Sequence, residues 1–308
     1  MEERPVIIPN SRRVDFTSKV NAHRYSISIG LPLDPPPENG YRVLYVFDGY
    51  AYFGSATEAV RVNGNAPGTV VVGLGYPDDG EFIQSTLARH GPLSPYFAQL
   101  PPIWAAIVFG RFYDLSLPAS MDSFAELGLT EKNTGGLDDY LQTIELDVKP
   151  RVAAVAPIDA SNQAIFGHSL GGLAVLHALF TMPNAFRTFV PASPSISWGD
   201  GVVLNAEKKF AAAVESGSAR PRVLVTMGAD EDIVPKHVLE REAKEGKTQA
   251  KRGNMVGDAR ELVARLQALR GTSPYEVEDY AIFPKQGHGI SPWPALGRAI
   301  SFAFPLPA

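Results

Sequence analysis

Between residues 24 and 31 the chain alternates, with Tyr25, Ile27, Ile29 and Leu31 on one side and Ser26 and Ser28 on the other. That pattern predicts a half-buried strand near a sheet edge. A proline-rich turn occupies 32–40. Residues 43–47 are then apolar throughout, and 69–74 and 222–227 have the same character. Strands of this kind are covered on both faces, and helical stretches separate them. The pattern therefore predicts an α/β fold, a mostly parallel central sheet with helices on both faces. Leu137, Tyr140, Leu141, Ile144 and Val148 recur at helical spacing, with Pro150 expected to close the run. Met255, Ala259, Leu262, Val263, Leu266 and Leu269 repeat that spacing, with Asn254 as N-cap and Gly271 just past the end. Ser291-Pro292 reads as the cap and first turn of a last helix towards Phe304. No internal repeat or long linker divides the 308 residues, so one domain, 1–308, is expected.

Two stretches break the order. Residues 84–110 are punctuated by prolines and rich in large apolar side chains, among them Leu93, Tyr96, Phe97, Leu100, Ile103 and Trp104. They suit a lid or pocket-wall excursion, or a packed surface excursion. Residues 236–252 are dense in mixed charge and read as a solvated helix or loop.

The candidate chemistry centres on Gly167-His168-Ser169-Leu170-Gly171-Gly172, with apolar Ala164-Ile165-Phe166 before it and a helix-like run over 173–181 behind it. Gly-x-Ser-x-Gly between strand and helix is the pattern of a nucleophile elbow. A serine on so sharp a turn needs small neighbours two positions either side, and Gly167 and Gly171 supply them. The hydroxyl of Ser169 also needs a base within hydrogen-bond reach. Of the six histidines, His23 and His90 precede the elbow, the wrong order for such a fold. His168 is fixed by the turn, His177 sits mid-helix, and His237 lies in the charged stretch. His288, in Gln286-Gly287-His288-Gly289 after the strand-like 280–283, is the expected base, because loops past the carboxyl ends of parallel strands carry ligands.

The acid should follow 222–227, where Asp230, Glu231 and Asp232 compete. The third position after Gly228 favours Glu231, with Asp230 and Asp232 as alternatives, and the order Ser169, Glu231, His288 suits the fold. Two backbone N–H groups must face the developing oxyanion. Leu170 is one donor, and the loop Phe47-Asp48-Gly49-Tyr50 supplies the other, with Gly49 permitting the turn and Tyr50 donating. Loss of one such donor typically costs about 3 kcal/mol of transition-state stabilisation.

Composition narrows the rest. A net charge of −5 with no basic block argues against nucleic acid or an anionic membrane surface as partner. With no cysteine there is no disulfide, thiolate metal site or cysteine nucleophile. No run of about 18 apolar residues exists to span a bilayer. Met1-Glu2-Glu3-Arg4-Pro5 lacks the charged-then-apolar pattern of a secretory signal, which predicts a cytoplasmic protein, or a periplasmic or secreted one if a signal has been trimmed. No phosphate loop, His-Glu-x-x-His or dinucleotide fingerprint is present, so no cofactor or metal is expected. The expected partner is a small-molecule ester, and these patterns leave the oligomeric state open.

Five stretches resemble the esterase-D-like branch of the α/β-hydrolases, and within it the siderophore esterases that hydrolyse the trilactone of enterobactin-type siderophores. They are VLYVFDGYAYF at 43–53, VVVGLGYP at 70–77, TGGLDDYLQTIELDVKP at 134–150, IFGHSLGGLAVLHALFTMP at 165–183 and PASPSISW at 191–198. The resemblance implies a single α/β-hydrolase domain acting as a serine carboxylic-ester hydrolase, with Ser169 as nucleophile, His288 as base and a siderophore ester backbone as substrate. It also matches Arg111 to a family arginine near the substrate pocket. As a fixed fork Arg111 could clamp a phenolate or carboxylate oxygen; a structural pair with Asp114 or Asp122 is the alternative. Trp198 is a candidate pocket wall, with core packing as its alternative. Other readings of the function are a general carboxylesterase for apolar acyl or aryl esters, an acyltransferase, or a non-catalytic binding relative.

Overall fold

A computed structural model describes residues 6–62, 66–90, 99–119, 129, 131–233, 254–269 and 275–305. In chain order it contains Ser11–Thr17 (β1), Arg24–Gly30 (β2), Tyr41–Val46 (β3), Gly49–Val62 (α1), Thr69–Gly75 (β4), Gly80–His90 (α2), Pro102–Asp114 (α3) and Leu137–Thr143 (α4). A π-helical turn, Ile144–Val148, leads into Lys149–Ala153 (α5), then Ile158–His168 (β5), Leu170–Thr181 (α6), Thr188–Ala192 (β6) and Glu207–Glu215 (α7). Arg222–Val223 (β7), Thr226–Gly228 (β8), Met255–Ala268 (α8), Glu276–Val277 (β9), Ala281–Phe283 (β10) and Pro292–Ala303 (α9) complete the described chain.

The strands form one sheet in the order β1-β2-β4-β3-β5-β6-β7-β9, with β8 pairing both β6 and β10. The pairs β1–β2 and β2–β4 are antiparallel. The rest of the sheet is parallel. Each central strand buries both faces. Val43, Tyr45 and Phe47 join a core beneath α4, α6, α7 and α8, while Leu44 and Val46 join a second beneath α1 and α9. This is the mixed α/β architecture that the unbroken apolar runs predict.

Several expectations need correction. β2 lies near the sheet edge as expected, and the edge strand itself is β1, which has no readable alternation because Phe16 is its one buried residue. Ser26 of β2 is buried rather than solvent-facing, under Arg13, whose Nε donates to its hydroxyl at 2.9 Å. The run 222–227 splits into β7 and β8, because its outer neighbour changes from β9 to β10. Pro150 does not end the helix begun at Leu137. The Lys149 N–H reaches back to Ile144 O, a widened π turn, and the chain then continues helically to Ala153 with the proline in the first turn of α5. A widened turn relieves the clash that a proline ring makes with the carbonyl four residues back. Asn254 does cap α8, accepting from Gly257 N at 3.2 Å. Gly271 and the charged stretch 236–252, with His237, lie outside the described residues. So do Leu93, Tyr96 and Phe97 of the excursion, whose described parts form α2 and α3 with small apolar clusters of their own, Phe82–Ala106–Ile107 and Phe109–Leu129.

Asp114, at the end of α3, is buried among aromatic rings, and among the described residues no lysine or arginine is bonded to it. Tyr25 donates to its carboxylate at 2.9 Å, and Tyr76 donates as well. His23 lies 4.0 Å away, but burial lowers its pKa to about 4 and keeps it neutral. Burial pushes the Asp114 carboxyl up to about 7, against the two tyrosine hydroxyls. Between its ordinary value of 3.8 and about 7, the unfolded chain has released a proton that the folded chain still holds. This contribution to stability is therefore complete below 3.8 and is lost as pH rises through about 7. Asp114→Asn should abolish that slope. Melting curves at pH 5 and pH 8 should show the variant gaining about 2–3 kcal/mol relative to wild type at the higher pH. An equal offset at both pH values would rule out a protonated Asp114.

Candidate active site

The sheet order brings the chemistry together, because β5, β6, β8 and β10 all end at the same edge. β5 ends at His168 and α6 begins at Leu170, leaving Ser169 alone to turn the chain. It does so at φ 62° and ψ −117°, a conformation that residues with a Cβ rarely adopt. The turn is this sharp because strand and helix touch: a Cβ on Gly167 would lie 2.3 Å from Gly171 O. The Ser169 N–H is held by Ala192 O at 3.0 Å, and its carbonyl starts α6 by accepting from Leu173 N at 2.9 Å. The first-turn N–H groups of α6, including that of Leu170, have no intrahelical acceptor and surround the serine with a partial positive charge.

The parallel pair β8–β10 places the loops after both strands side by side. Ala229 N bonds Phe283 O at 2.9 Å and Asp230 N bonds Gln286 O at 3.0 Å. Gly228 fits because a Cβ there would meet Gln286 O at 2.2 Å. Across this junction His288 Nδ1 lies 2.7 Å from Glu231 Oε2, and His288 Nε2 lies 3.0 Å from Ser169 Oγ. The Glu231 side chain is fully buried, whereas His288 is 38% exposed. Burial pushes the Glu231 carboxyl up, but hydrogen bonds from His288, Ser193 and the Gly228 N–H outweigh it, so the group is held below its ordinary value.

The three candidate carboxylates have separate partners. Glu231 meets His288. Asp232 accepts from Met255 N at 2.9 Å and Val256 N at 3.1 Å, which ties it to the N-terminus of α8. Asp230 contributes its backbone, with its carbonyl accepting from Ile233 N at 3.0 Å.

The loop after β3 turns at Asp48, which has φ 55°, rather than at Gly49 as expected. Gly49 is required for another reason: a Cβ on it would lie 2.7 Å from the Gly73 carbonyl carbon, so α1 can start close against β4. Ala51 N and Tyr52 N bond Asp48 O, and the N–H groups of Gly49 and Tyr50 precede these first helical bonds.

Arg111 departs from the expected clamp. Its Nε donates to Asp48 Oδ1 at 2.8 Å and its Nη2 to His168 O at 3.3 Å. The partner is thus Asp48, not Asp114, and Asp122 lies outside the described residues. Burial opposes the guanidinium charge, but Asp48 more than offsets it and the pKa is raised. Two of the three nitrogens are committed inside the protein, tying the Asp48 turn to the elbow. Trp198 is also corrected: it is 2% exposed and its indole N–H donates to Leu117 O at 2.8 Å, so it packs in the core and does not wall an open site. His177 is buried on α6, with Nε2 2.7 Å from Asp138 Oδ1.

Sequence reasoning missed Ser193 and Ser291. Ser193 donates to Glu231 Oε1 at 2.5 Å and lies 3.2 Å from Ser291 Oγ. Ser291 does not cap α9 with its side chain; its hydroxyl lies 3.2 Å from His288 O and 3.4 Å from His168 Nε2. Ser193 does stand directly after an apolar strand, which was an available signal. Exposed aromatic rings lie nearby along the chain: Tyr50 meets Trp104 edge-on at 5.7 Å, and Tyr52 meets Trp293 edge-on at 5.3 Å. Among the described residues, no group of three or more His, Cys, Asp or Glu side chains is arranged to hold a metal ion, and no helix is long and apolar enough to cross a membrane.

Comparison with known proteins places the chain among esterases. The chain is 31% identical over 305 residues to the ferri-bacillibactin esterase BesA of Bacillus subtilis, covering 96% of this chain and 90% of that protein. It is 30% identical over 295 residues to the siderophore triacetylfusarinine C esterase of Aspergillus fumigatus, covering 90% and 89%. The fold matches the crystal structure of the BES protein of Bacillus cereus with a TM-score of 0.75 at 26% identity, over 99% of each chain. Residues 118–263 match the Esterase family. With relatives at this level along almost its whole length, the chain belongs to the Esterase family of α/β-hydrolases, alongside the siderophore esterases, and is a carboxylic-ester hydrolase.

Proposed function

We propose that this esterase hydrolyses the ester backbone of a siderophore through Ser169, His288 and Glu231. The observation that carries the mechanism is the continuous bond path Ser169 Oγ–His288 Nε2–Glu231 Oε2, at 3.0 and 2.7 Å, starting from a strained turn. His288 takes the Ser169 proton as Oγ attacks the ester carbonyl. Glu231, ionised and accepting from Nδ1, holds the ring in the tautomer that leaves Nε2 free to accept, and stabilises the imidazolium that forms. The N–H groups of Leu170 and Tyr50 face the oxyanion. The imidazolium then gives its proton to the leaving alcohol, and water cleaves the acyl-enzyme by the same steps in reverse. The siderophore assignment is supported by the names of the relatives above, which act on a ferri-bacillibactin and on triacetylfusarinine C.

A second reading, a carboxylesterase for aryl or apolar acyl esters, is favoured by the exposed aromatic side chains. Tyr50 is 48%, Trp104 45% and Trp293 42% exposed, and edge-to-face pairs present rings to solvent in fixed orientations. In either reading α3, which carries Trp104 and Arg111 beside the Asp48 turn, serves as a pocket wall.

Two experiments test these readings. Ser169→Ala and His288→Ala should each reduce kcat/KM by at least about 1,000-fold with an unchanged melting temperature, because the residues act as a unit. Glu231→Gln should cost more activity than Asp230→Asn or Asp232→Asn, while Asp232→Asn should chiefly loosen α8. Near-wild-type turnover by the serine or histidine variant would remove the mechanism. For the substrate, kcat/KM on a ferric trilactone siderophore, its iron-free form and p-nitrophenyl esters should be compared, with Ser169→Ala as blank. A clear preference for the siderophore is expected. Cleavage of the model esters alone would leave the mechanism and transfer the specificity to the aromatic rings.

A further inference from the structure

Ser193 is the first residue after β6, is 1% exposed, and sits at φ 42°, in the left-handed region. A residue with a Cβ is strained there and glycine is not. Its backbone is fixed by its N–H, which bonds Thr226 O at 2.8 Å and so ties the end of β6 to β8. Glycine would make that same bond with less strain. The serine therefore has to be explained by its hydroxyl, and the hydroxyl points at Glu231 Oε1, 2.5 Å away.

Glu231 divides its two oxygens between different tasks. Oε2 meets His288, while Oε1 accepts from Ser193 and from the Gly228 N–H at 2.6 Å. A carboxylate held at one oxygen by two donors from separate elements cannot rotate its other oxygen away from the imidazole. The single proton of Ser193 is given to Glu231, and its oxygen lies 3.2 Å from Ser291 Oγ, whose own proton is given to the carbonyl of His288. Ser291 Oγ lies in turn 3.4 Å from Nε2 of His168 and 3.2 Å from the carbonyl of His288. His168 is buried, with its ring 4.5 Å from that of His288. Burial and the neighbouring His288 lower its pKa to about 3, so it stays neutral beside a histidine that must become charged. Contiguous polar contacts thus link the elbow, the start of α9 and the end of β6 to the carboxylate.

We propose that Ser193 is a positioning residue for the hydrolytic reaction: it fixes the Glu231 carboxylate against His288 Nδ1, and its hydroxyl is what keeps a strained serine at this turn. The inference rests on the reading of Ser169 and His288 above, and the controls separate the two.

The test is Ser193→Gly, which removes the hydroxyl from a backbone that suits glycine. Its melting temperature should equal or exceed that of wild type. With p-nitrophenyl acetate, kcat per folded molecule should fall roughly 10- to 100-fold while KM changes less than about twofold, as for a misplaced catalytic group. The downfield proton resonance of His288 Nδ1 should shift or broaden in the same variant. Ser193→Ala, which also lacks the hydroxyl, should lower kcat in the same direction. A Ser193→Gly enzyme with wild-type kcat and an unmoved resonance overturns the proposal. If that variant does not fold, an unchanged kcat in Ser193→Ala overturns it instead. Ser169→Ala, assayed on the same ester, must be inactive; residual turnover there would remove the underlying mechanism rather than the role of Ser193.

Discussion

The close contact between β5 and α6 is the constraint on which the rest of the site depends. With no room for a Cβ at Gly167, 2.3 Å from Gly171 O, the chain reverses from strand to helix within one residue. Ser169 absorbs that reversal at positive φ. A hydroxyl placed this way stands above the carboxyl edge of the sheet, in front of a buried helix whose first N–H groups are unpaired. Everything else in the site is brought to that point by neighbouring strands. β6 delivers Ser193, β8 delivers Glu231, β10 delivers His288, and β3 delivers Asp48. The parallel sheet is thus the positioning device, since parallel strands all end on the same side.

Three buried carboxylates near this edge show how environment separates identical chemistry. Asp48 is 5% exposed and lies 2.8 Å from the Arg111 guanidinium. At Glu231 three hydrogen-bond donors hold the carboxyl below its ordinary value in spite of its burial. Asp114 has two tyrosine hydroxyls and, among the described residues, no bonded lysine or arginine, and its pKa rises to about 7. Burial raises the pKa of any carboxyl, and the number and charge of the donors decide where it settles. Only an ionised acid can stabilise an imidazolium, so of these three environments the one around Glu231 matches that task while leaving the histidine as its direct partner.

What the sequence disclosed follows from where the responsible interactions lie along the chain. The central strands were readable because both faces are buried and the apolar run is unbroken. The elbow was readable because its serine, its glycines, its strand and its helix are contiguous. The edge strand β1 was not, since water covers most of it and little selects an apolar pattern there. Pro150 misled because a π turn, which leaves no local signature, makes room for it. The serine–histidine pair could be named from loop positions, but the choice among Asp230, Glu231 and Asp232 turns on a junction between β8 and β10, and Arg111 on a partner 63 residues away. Ser193 and Ser291 are 98 residues apart. Each looks like an ordinary loop serine until the sheet brings them together.

The Arg111–Asp48 pair also limits what the excursion around 84–110 can do. Arg111 lies on α3, and its guanidinium bonds both the turn after β3 and the last carbonyl of β5. Swinging the end of α3 away from the site would strand a 5% exposed carboxylate without its cation. Breaking a buried pair by removing one partner typically costs about 3–5 kcal/mol, much more than an exposed one. The last turn of α3 is therefore anchored to the same turn that carries Tyr50. Trp104, two turns earlier on α3, is 45% exposed and meets Tyr50 edge-on. Variation in this segment can reshape the rim at Trp104 while the Arg111 end keeps the Asp48 turn in register with the elbow. Specificity and catalytic geometry can then change independently, although one helix carries both.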